Sequence, residues 1–477
     1  MKTKIICTIG PASNSEEKIK ELIEAGMSVA RVNCSHGAIE DNEATIERLK
    51  LMRKRLGVPL SVMLDTKGPD VRIGHFEGGF AMVREGQTFT LTTRPTVGFE
   101  NKVSVDYKKL PKMVKAGQVL LLNDGMIKMT VVTTNETDVV CRVNAGGKLS
   151  DRKSLAAPGI DLGLPIMSRL DELDLIMGVK QEVDWIAASF VSSAADVLTI
   201  KKFLAKHGAD IPIISKIESR RGIENLDEIL KVSEGVMVAR GDLGVEYPLE
   251  QIPMLQKMIV EKGRRAGRLV VMATEMLESM IEKPRPTRAE TTDVANAVYD
   301  GTKCIMLSGE TAAGKYPVQT VQYMKRIAEA TEKHIAESLG RGGILYCEVM
   351  CDRMNDVLVE TTKDAFAKTI CSASSASKAK AICVFTQSGS TALRVAKYNP
   401  TCDVYAFCRT EKAYNMLAAI NSIKPQMCAS VLTVNQMLQI GNDFMLTNRL
   451  GTKGDTIVVN AQFQDSSTDL ILIHPLG

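Results

Sequence analysis

Eight short runs rich in β-branched and aliphatic residues recur along the chain, each followed by a polar cluster and, usually, by apolar residues at helical spacing. They are IICTI (5–9), VARVN (29–33), LSVML (60–64), WIAAS (185–189), IPIIS (211–215), GVMVA (235–239), LVVMA (269–273) and CIML (304–307). Runs of this length and composition suit β-strands. Between them, SEEKIKELIEAG (15–26) and VLTIKKFLAKHG (197–208) carry helical spacing closed by a glycine, the usual stop signal. Eight strand-helix alternations predict a parallel (β/α)8 barrel of the TIM type, whose C-terminal strand ends carry the chemistry.

The alternation breaks once. Residues 70–165 read as short alternating strands and turns, including QTFTLTT (87–93) and VVCRVNAGG (139–147), the pattern of a small all-β unit. It enters at a strand's C-terminal end, so it is expected to form a β-barrel lid over the active face. After about residue 340 the pattern restarts with AICVF (381–385), TQSGST (386–391), ALRVAKYN (392–399) and VYAFC (404–408), a βαβ unit. CSASSASKAK (371–380) is either a helix end or a hinge. The expected division is a barrel over 1–69 and 166–339, an inserted lid over 70–165 and a C-terminal α/β regulatory domain over 340–477, in keeping with a length of 477 residues and about 150 residues per domain.

Charge and composition exclude several functions. Sixty Lys+Arg against 56 Asp+Glu leave +4, spread along the chain, and aromatic residues are 4%, so no field or stacking platform selects nucleic acid. The basic cluster KGRRAGR (262–268) reads as a solvated helix end. No apolar stretch approaches the ~18 residues of a membrane span, and the start MKTKIICTIGPAS lacks a signal-peptide core. Eleven scattered cysteines without a C-x-x-C spacing argue against disulfides and zinc and suit a cytoplasmic protein.

Polar groups that a folding core does not need collect at the expected strand ends: RVNCSHG (31–37), DTKGPDVR (65–72), SKIE (215–218), ARGDLG (239–244), ATEM (273–276) and SGETAAG (308–314). Lys216 and Glu218 alternate, as do Arg31, Asn33 and Ser35, so each set shares one side of its strand. Carboxylates (Asp65, Glu218, Asp242) suit Mg2+, which takes few protein ligands. Cations (Arg31, Lys67, Arg72, Lys216, Arg240) suit phosphate. Buried ion pairs stabilise weakly, so this many charges on one rim favour a ligand over a structural role.

The motifs NCSHG, DTKGPDVR, IISKIE, MVARGDLG, MLESM, PRPTRAE, DVANAVYDG and MLSGETAAGKYP resemble those of the pyruvate kinase family. That resemblance implies phosphoryl transfer from phosphoenolpyruvate to ADP, giving pyruvate and ATP. It makes Glu218 and Asp242 ligands of Mg2+ (or Mn2+), and Asn33, Ser35, Asp65 and Thr66 ligands of K+. Lys216, Arg31 and Arg72 would hold the phosphoryl group, and Gly241, Asp242 and Thr274 the substrate carboxylate. Arg31, Asn33, His36 and Lys153 match nucleotide-binding positions, and Thr274 and Ser308 a proton relay. Ser388, Ser390 and Thr391 look like an allosteric sugar-phosphate or nucleotide effector site, although from its residues alone TQSGST is a phosphate cradle or a plain turn. The family also implies a homotetramer.

Four positions depart from the family pattern. Asp70 stands where K+-dependent members have Glu, Glu275 replaces a usual Gln, Ser154 a Gly and Asn123 an Asp. The glycine-rich loop and Thr-Asn pair expected before the last strand are missing. Two other readings compete, a metal-dependent barrel lyase or aldolase acting on pyruvate enolate and a catalytically silent metabolite sensor. NCSHG and DTKGP discriminate against the first, and intact Lys216, Glu218, Asp242 and Arg72 against the second.

Overall fold

The computed structural model describes residues 1–340, 358–359, 361–428, 433–462 and 469–477. Eight parallel strands close into a barrel: β1 (Lys4–Thr8), β2 (Met27–Asn33), β3 (Ser61–Asp65), β13 (Trp185–Ala188), β14 (Ile213–Ile217), β15 (Gly235–Ala239), β16 (Leu269–Ala273) and β17 (Cys304–Leu307). β1 pairs with both β2 and β17, which completes the ring. Each strand coincides with one expected run, no end differing by more than two residues. Helix Glu16–Ala25 starts at Ser15, whose side chain accepts from the Lys18 N–H, and stops at Gly26 with φ 131°. Helix Ala194–Lys206 opens on a capping box between Ser193 and Asp196. Both starts satisfy amides that a helix leaves unpaired.

Alternation along each strand divides the core. Ile5, Cys7, Ala30, Val32, Val62 and Leu64 pack outward with helix residues such as Ile19, Leu22 and Ile46. Ile6, Val29, Met63, Ala187, Ile214, Met237, Val271 and Met306 line the barrel interior. The side chains two residues further on are Thr8, Arg31, Asp65, Ser189, Lys216, Ala239, Ala273 and Ser308. Period two therefore aims them into the mouth.

Between β3 and β13 lie β4 (Val71–Arg72), β5 (Phe80–Val83), β6 (Thr88–Thr92), β7 (Lys102–Ser104), β8 (Val119–Leu122), β9 (Ile127–Thr134), β10 (Asp138–Ala145), β11 (Gly147–Ser150) and β12 (Ser154–Ala156). Seven of them form a sheet in the order β4-β12-β8-β9-β10-β6-β7, and β5 and β11 pair separately. The sheet's two edges meet through a bridge between Ile73 and Val105. Main-chain bonds from Gly74 to Ser104 (2.8 Å) and from Asp106 to Arg72 (3.0 Å) reinforce the closure. Inside lies a separate apolar core that includes Phe89, Leu91, Leu120 and Val143.

The C-terminal sheet is ordered β20-β19-β18-β21-β22, from β18 (Ala381–Thr386), β19 (Asp403–Cys408), β20 (Ile423–Met427), β21 (Thr456–Gln462) and β22 (Asp469–Pro475). All its pairs are parallel except β21 with β22. CSASSASKAK begins inside helix Thr362–Ala376 and runs past its end, which settles the earlier alternative for a helix end. The C-terminal unit covers the barrel's base, where the Ser61 hydroxyl donates to the Asn415 carbonyl (2.5 Å) and the Trp185 indole to that of Met416 (3.2 Å). The solvated helix end expected at 262–268 needs correction at Arg264, which is 3% exposed beneath the barrel. Residues 463–468, which precede the last strand and where the glycine-rich loop was sought, lie outside the described residues, as does most of 340–360.

Candidate active site

Four charged side chains interlock at the C-terminal ends of β2, β3 and β14. The Lys216 ammonium lies 3.1 Å from Asp65 Oδ1 and 3.0 Å from Glu218 Oε1, and donates to Ser189 Oγ at 2.7 Å. Arg31 Nε meets Asp65 Oδ2 at 2.6 Å, and its Nη1 donates to Thr8 Oγ1 at 2.9 Å. Asp65 is fully buried and Glu218 nearly so. Burial pushes the Asp65 carboxyl up, but Arg31 and Lys216 outweigh it and hold the group below the usual carboxylate range. Burial likewise opposes the charge on Lys216, yet Asp65 and Glu218 keep its pKa above the ordinary lysine value.

Glu218 is the exception. Burial first, and then the charge of Asp242, push it up to about 7 against the opposing pull of Lys216. Its Oε2 accepts the Phe190 N–H at 2.6 Å, from a residue held at φ 55°. Two carboxylates that repel each other on a buried rim form an oxygen donor set with a deficit of positive charge, which suits a hard divalent cation.

A second group gathers where β15 and β16 end. Thr274 and Glu275 sit at φ 66° and 55°, uncommon for any non-glycine residue and an outlier for a β-branched one. Arg240 braces this turn. Its Nη1 grips both carboxylate oxygens of Asp293 (2.8 and 2.6 Å), while Nη2 donates to the Thr274 carbonyl (2.5 Å) and Nε to that of Ala273 (3.3 Å). Thr274 Oγ1 in turn accepts the Gly241 N–H at 2.9 Å. Arg240, grouped by sequence with the anion-binding cations, is thus spent on holding backbone.

Chain-wide comparison gives the same picture. Residues 1–321 match the family model "Pyruvate kinase, barrel domain", and residues 364–474 match "Pyruvate kinase, alpha/beta domain". The chain belongs to the pyruvate kinase family. Membership makes it a phosphotransferase. The pyruvate kinase of Clostridium perfringens is 40% identical over 98% of this chain and 97% of its own length. That of Geobacillus stearothermophilus is 39% identical over the whole chain and 80% of its own length. The crystal structure of a pyruvate kinase from Cryptosporidium parvum superposes with a TM-score of 0.92 at 35% identity, covering 100% of this chain and 96% of that one.

Among the other residues singled out for their likeness to pyruvate kinases, Arg72 lies where the inserted unit leaves the barrel. Its Nε binds Asp70 (2.5 Å) and its Nη1 donates to the Arg152 carbonyl (3.0 Å). Asp70 also holds Lys67 at 3.0 Å. Asn33 and Asp65 are register partners on adjacent strands. Asn33 Oδ1 accepts the Ser35 N–H (3.2 Å), and the Thr66 carbonyl accepts Ser189 Oγ (2.6 Å). His36 is exposed, and Lys153 is half-buried beside β12. Ser308 follows β17, and its N–H donates to Glu310 Oε2 (2.7 Å). Ser388, Ser390 and Thr391 stand apart in the C-terminal unit, Ser388 on the turn after β18 and the other two at the start of helix Ser390–Lys397, with the Ser388 and Ser390 hydroxyls 3.2 Å apart.

Sequence reasoning missed Ser189, Thr8, Phe190 and Asp293. Ser189 ends a run already read as a strand and Thr8 stands one residue before the end of another, and counting by two from Ala187 and Ile6 would have found them. Phe190 acts through its main-chain N–H and Asp293 from a helix, Arg288–Tyr299, so neither carries a pattern at the rim.

Proposed function

We infer that the chain transfers the phosphoryl group of phosphoenolpyruvate to ADP, giving pyruvate and ATP. The observation that carries this reading is the buried set Lys216, Asp65, Glu218 and Arg31 at one barrel mouth, because phosphoryl transfer depends on positioned charge more than on covalent help. Lys216, fixed by three oxygens, presents one ammonium on the face where the phosphoryl group and then the enolate carry negative charge. Arg31 and Arg72 clamp the same group from the barrel and from the inserted unit. Thr274 and the amides of Gly241 and Asp242 orient the substrate carboxylate, and Thr274 and Ser308 lead a proton to the enolate carbon.

Glu218 and Asp242 are the residues to hold Mg2+ or Mn2+; a bound divalent ion supplies Lewis-acid stabilisation of the phosphoryl and enolate oxygens. Asn33, Ser35, Asp65 and Thr66 offer oxygen donors for K+, each with spare lone pairs beyond its observed bonds. The negative Asp70 fits K+ dependence, and full activity in tetramethylammonium buffer would overturn it. Arg31, Asn33, His36 and Lys153 serve the nucleotide.

The chain is read as a barrel (1–69, 166–339), a lid (70–165) and a regulatory unit (340–477), assembled as a cytoplasmic homotetramer. No described helix is long and apolar enough to cross a membrane, and nine described cysteines are free thiols. Ser388, Ser390 and Thr391 receive a sugar-phosphate or nucleotide effector; an unmoved saturation curve with such ligands would refute that part. The activity itself is tested by following phosphorus resonances of phosphoenolpyruvate and ADP with Mg2+ and K+. Growth of the ATP signals is expected, and their absence at full protein folding would refute the assignment.

A further inference from the structure

The reaction leaves the barrel's other end unused. A cavity of about 810 Å3 lies there, between the barrel base and the C-terminal sheet, lined on one side by Arg264, Thr302 and Lys303 and on the other by Thr401, Asn421 and Lys424. Lys303 precedes β17 and Ser308 follows it, so the two mark opposite ends of one strand. Base residues of such barrels normally serve stability. A stabilising lysine needs a partner, however, and Lys303 has none among the described residues. It is 8% exposed, and its ammonium makes no hydrogen bond or ion pair among the described residues. The adjacent Thr302 hydroxyl is also buried with no partner among the described residues.

The surrounding charge deepens the imbalance. Lys2 and Arg264 lie close enough to repel a charged Lys303. Among the described residues, Lys2 Nζ donates only to the carbonyls of Pro400 (3.2 Å) and Thr401 (3.1 Å). Of the carboxylates on the wall, Glu332 is taken by the main-chain N–H groups of Lys2 and Thr3 (2.7–3.0 Å), and Asp403 by Lys424 (2.6 Å). Glu329 is the remaining one among the described residues. Isolated buried ammonium groups are costly unless an anion meets them.

We propose that this cavity binds a small phosphate monoester, with the Lys303 ammonium and the Thr302 hydroxyl receiving the phosphate and Lys2 adding positive charge. A dianion matches Lys303 and Lys2 together where a single carboxylate would not. The volume falls within the range of small-molecule sites, about 300–1,000 Å3, and exceeds what phosphate alone fills. Val298 and Ile335 give the organic part an apolar wall. Because the walls come from both the barrel and the C-terminal unit, the ligand would tie the two together.

The test uses the native protein and pyridoxal 5′-phosphate, a phosphate monoester bearing an aldehyde. Burial, helped by Arg264 and Lys2, lowers Lys303 to about 7, so its amine is nucleophilic at neutral pH. It adds to the aldehyde, water leaves, and borohydride reduces the imine to a stable amine that peptide mass spectrometry locates. Labelling is expected at Lys303, falling about tenfold when sn-glycerol 3-phosphate is present at ten times its dissociation constant, by simple site occupancy. The same protection is expected in the Lys216→Met protein, which separates this cavity from the active site. Labelling of Lys303 that glycerol 3-phosphate does not reduce would overturn the proposal. Protection that vanishes in Lys216→Met, or that inorganic phosphate alone provides, would overturn it equally.

Discussion

Lys216 concentrates the account at the scale of one residue. Its ammonium bridges two buried carboxylates and a hydroxyl, so Lys216→Met removes a preorganised charge while Arg31 still compensates Asp65. Turnover is expected to fall at least ~100-fold with the fold retained, given what one preorganised stabilising group contributes. Steady-state kinetics beside circular dichroism decide it, and unchanged turnover contradicts the role. Lys303 makes the opposite case, a buried lysine that costs stability. Its pKa is lowered to about 7, by burial first and then by Arg264 and Lys2, so between pH 7 and the unfolded lysine value the unfolded chain binds more protons. Stability must then rise with pH in that window, by about 2 kcal/mol from pH 7 to 9 on this group's account. Urea midpoints should show this rise in the native protein and a flatter profile in Lys303→Met; parallel profiles would contradict it.

The turns after the strands act as elements rather than as single groups. Gly68, at φ 71°, follows β3, and a Cβ there would lie 2.8 Å from Ser189 Cβ and 3.1 Å from its carbonyl oxygen. Ser189 and Phe190 in turn hold Lys216 and Glu218. Gly68→Ala should therefore shift both charged groups and reduce kcat about 10- to 100-fold, the scale of an ångström's misplacement; a wild-type kcat at intact folding would contradict this coupling. Such turns also mark how far the sequence could be read. The strands were legible because period two and apolar runs are local, and Lys216 and Glu218 were legible as alternate residues. The brace from Arg240 to Asp293 was not, because it joins residues 53 apart and spends on backbone a cation that composition alone assigns to phosphate. Arg264 was misread for a similar reason: helical spacing places it on a helix end, but in the folded chain its side chain is 3% exposed.

At the scale of the whole molecule, the inserted unit keeps an apolar core of its own, while the barrel interior and one face of the C-terminal sheet share a single one. The inserted sheet contributes Arg72 beside one mouth, and the C-terminal unit seals the base against Trp185, which is 1% exposed. This arrangement leaves the other mouth free of the C-terminal unit, and that is where the proposed reaction brings its anion and cation together. The central claim is that Glu218 and Asp242 hold that cation there. It is tested most directly by titrating Mn2+ into the native and Glu218→Gln proteins while pyruvate formation from phosphoenolpyruvate and ADP is followed. The native protein should be inactive in chelator and recover with bound Mn2+, while Glu218→Gln should bind the ion at least tenfold more weakly, as loss of a charged ligand implies. Equal Mn2+ affinity in the two proteins, or native turnover that persists in chelator, would contradict the account.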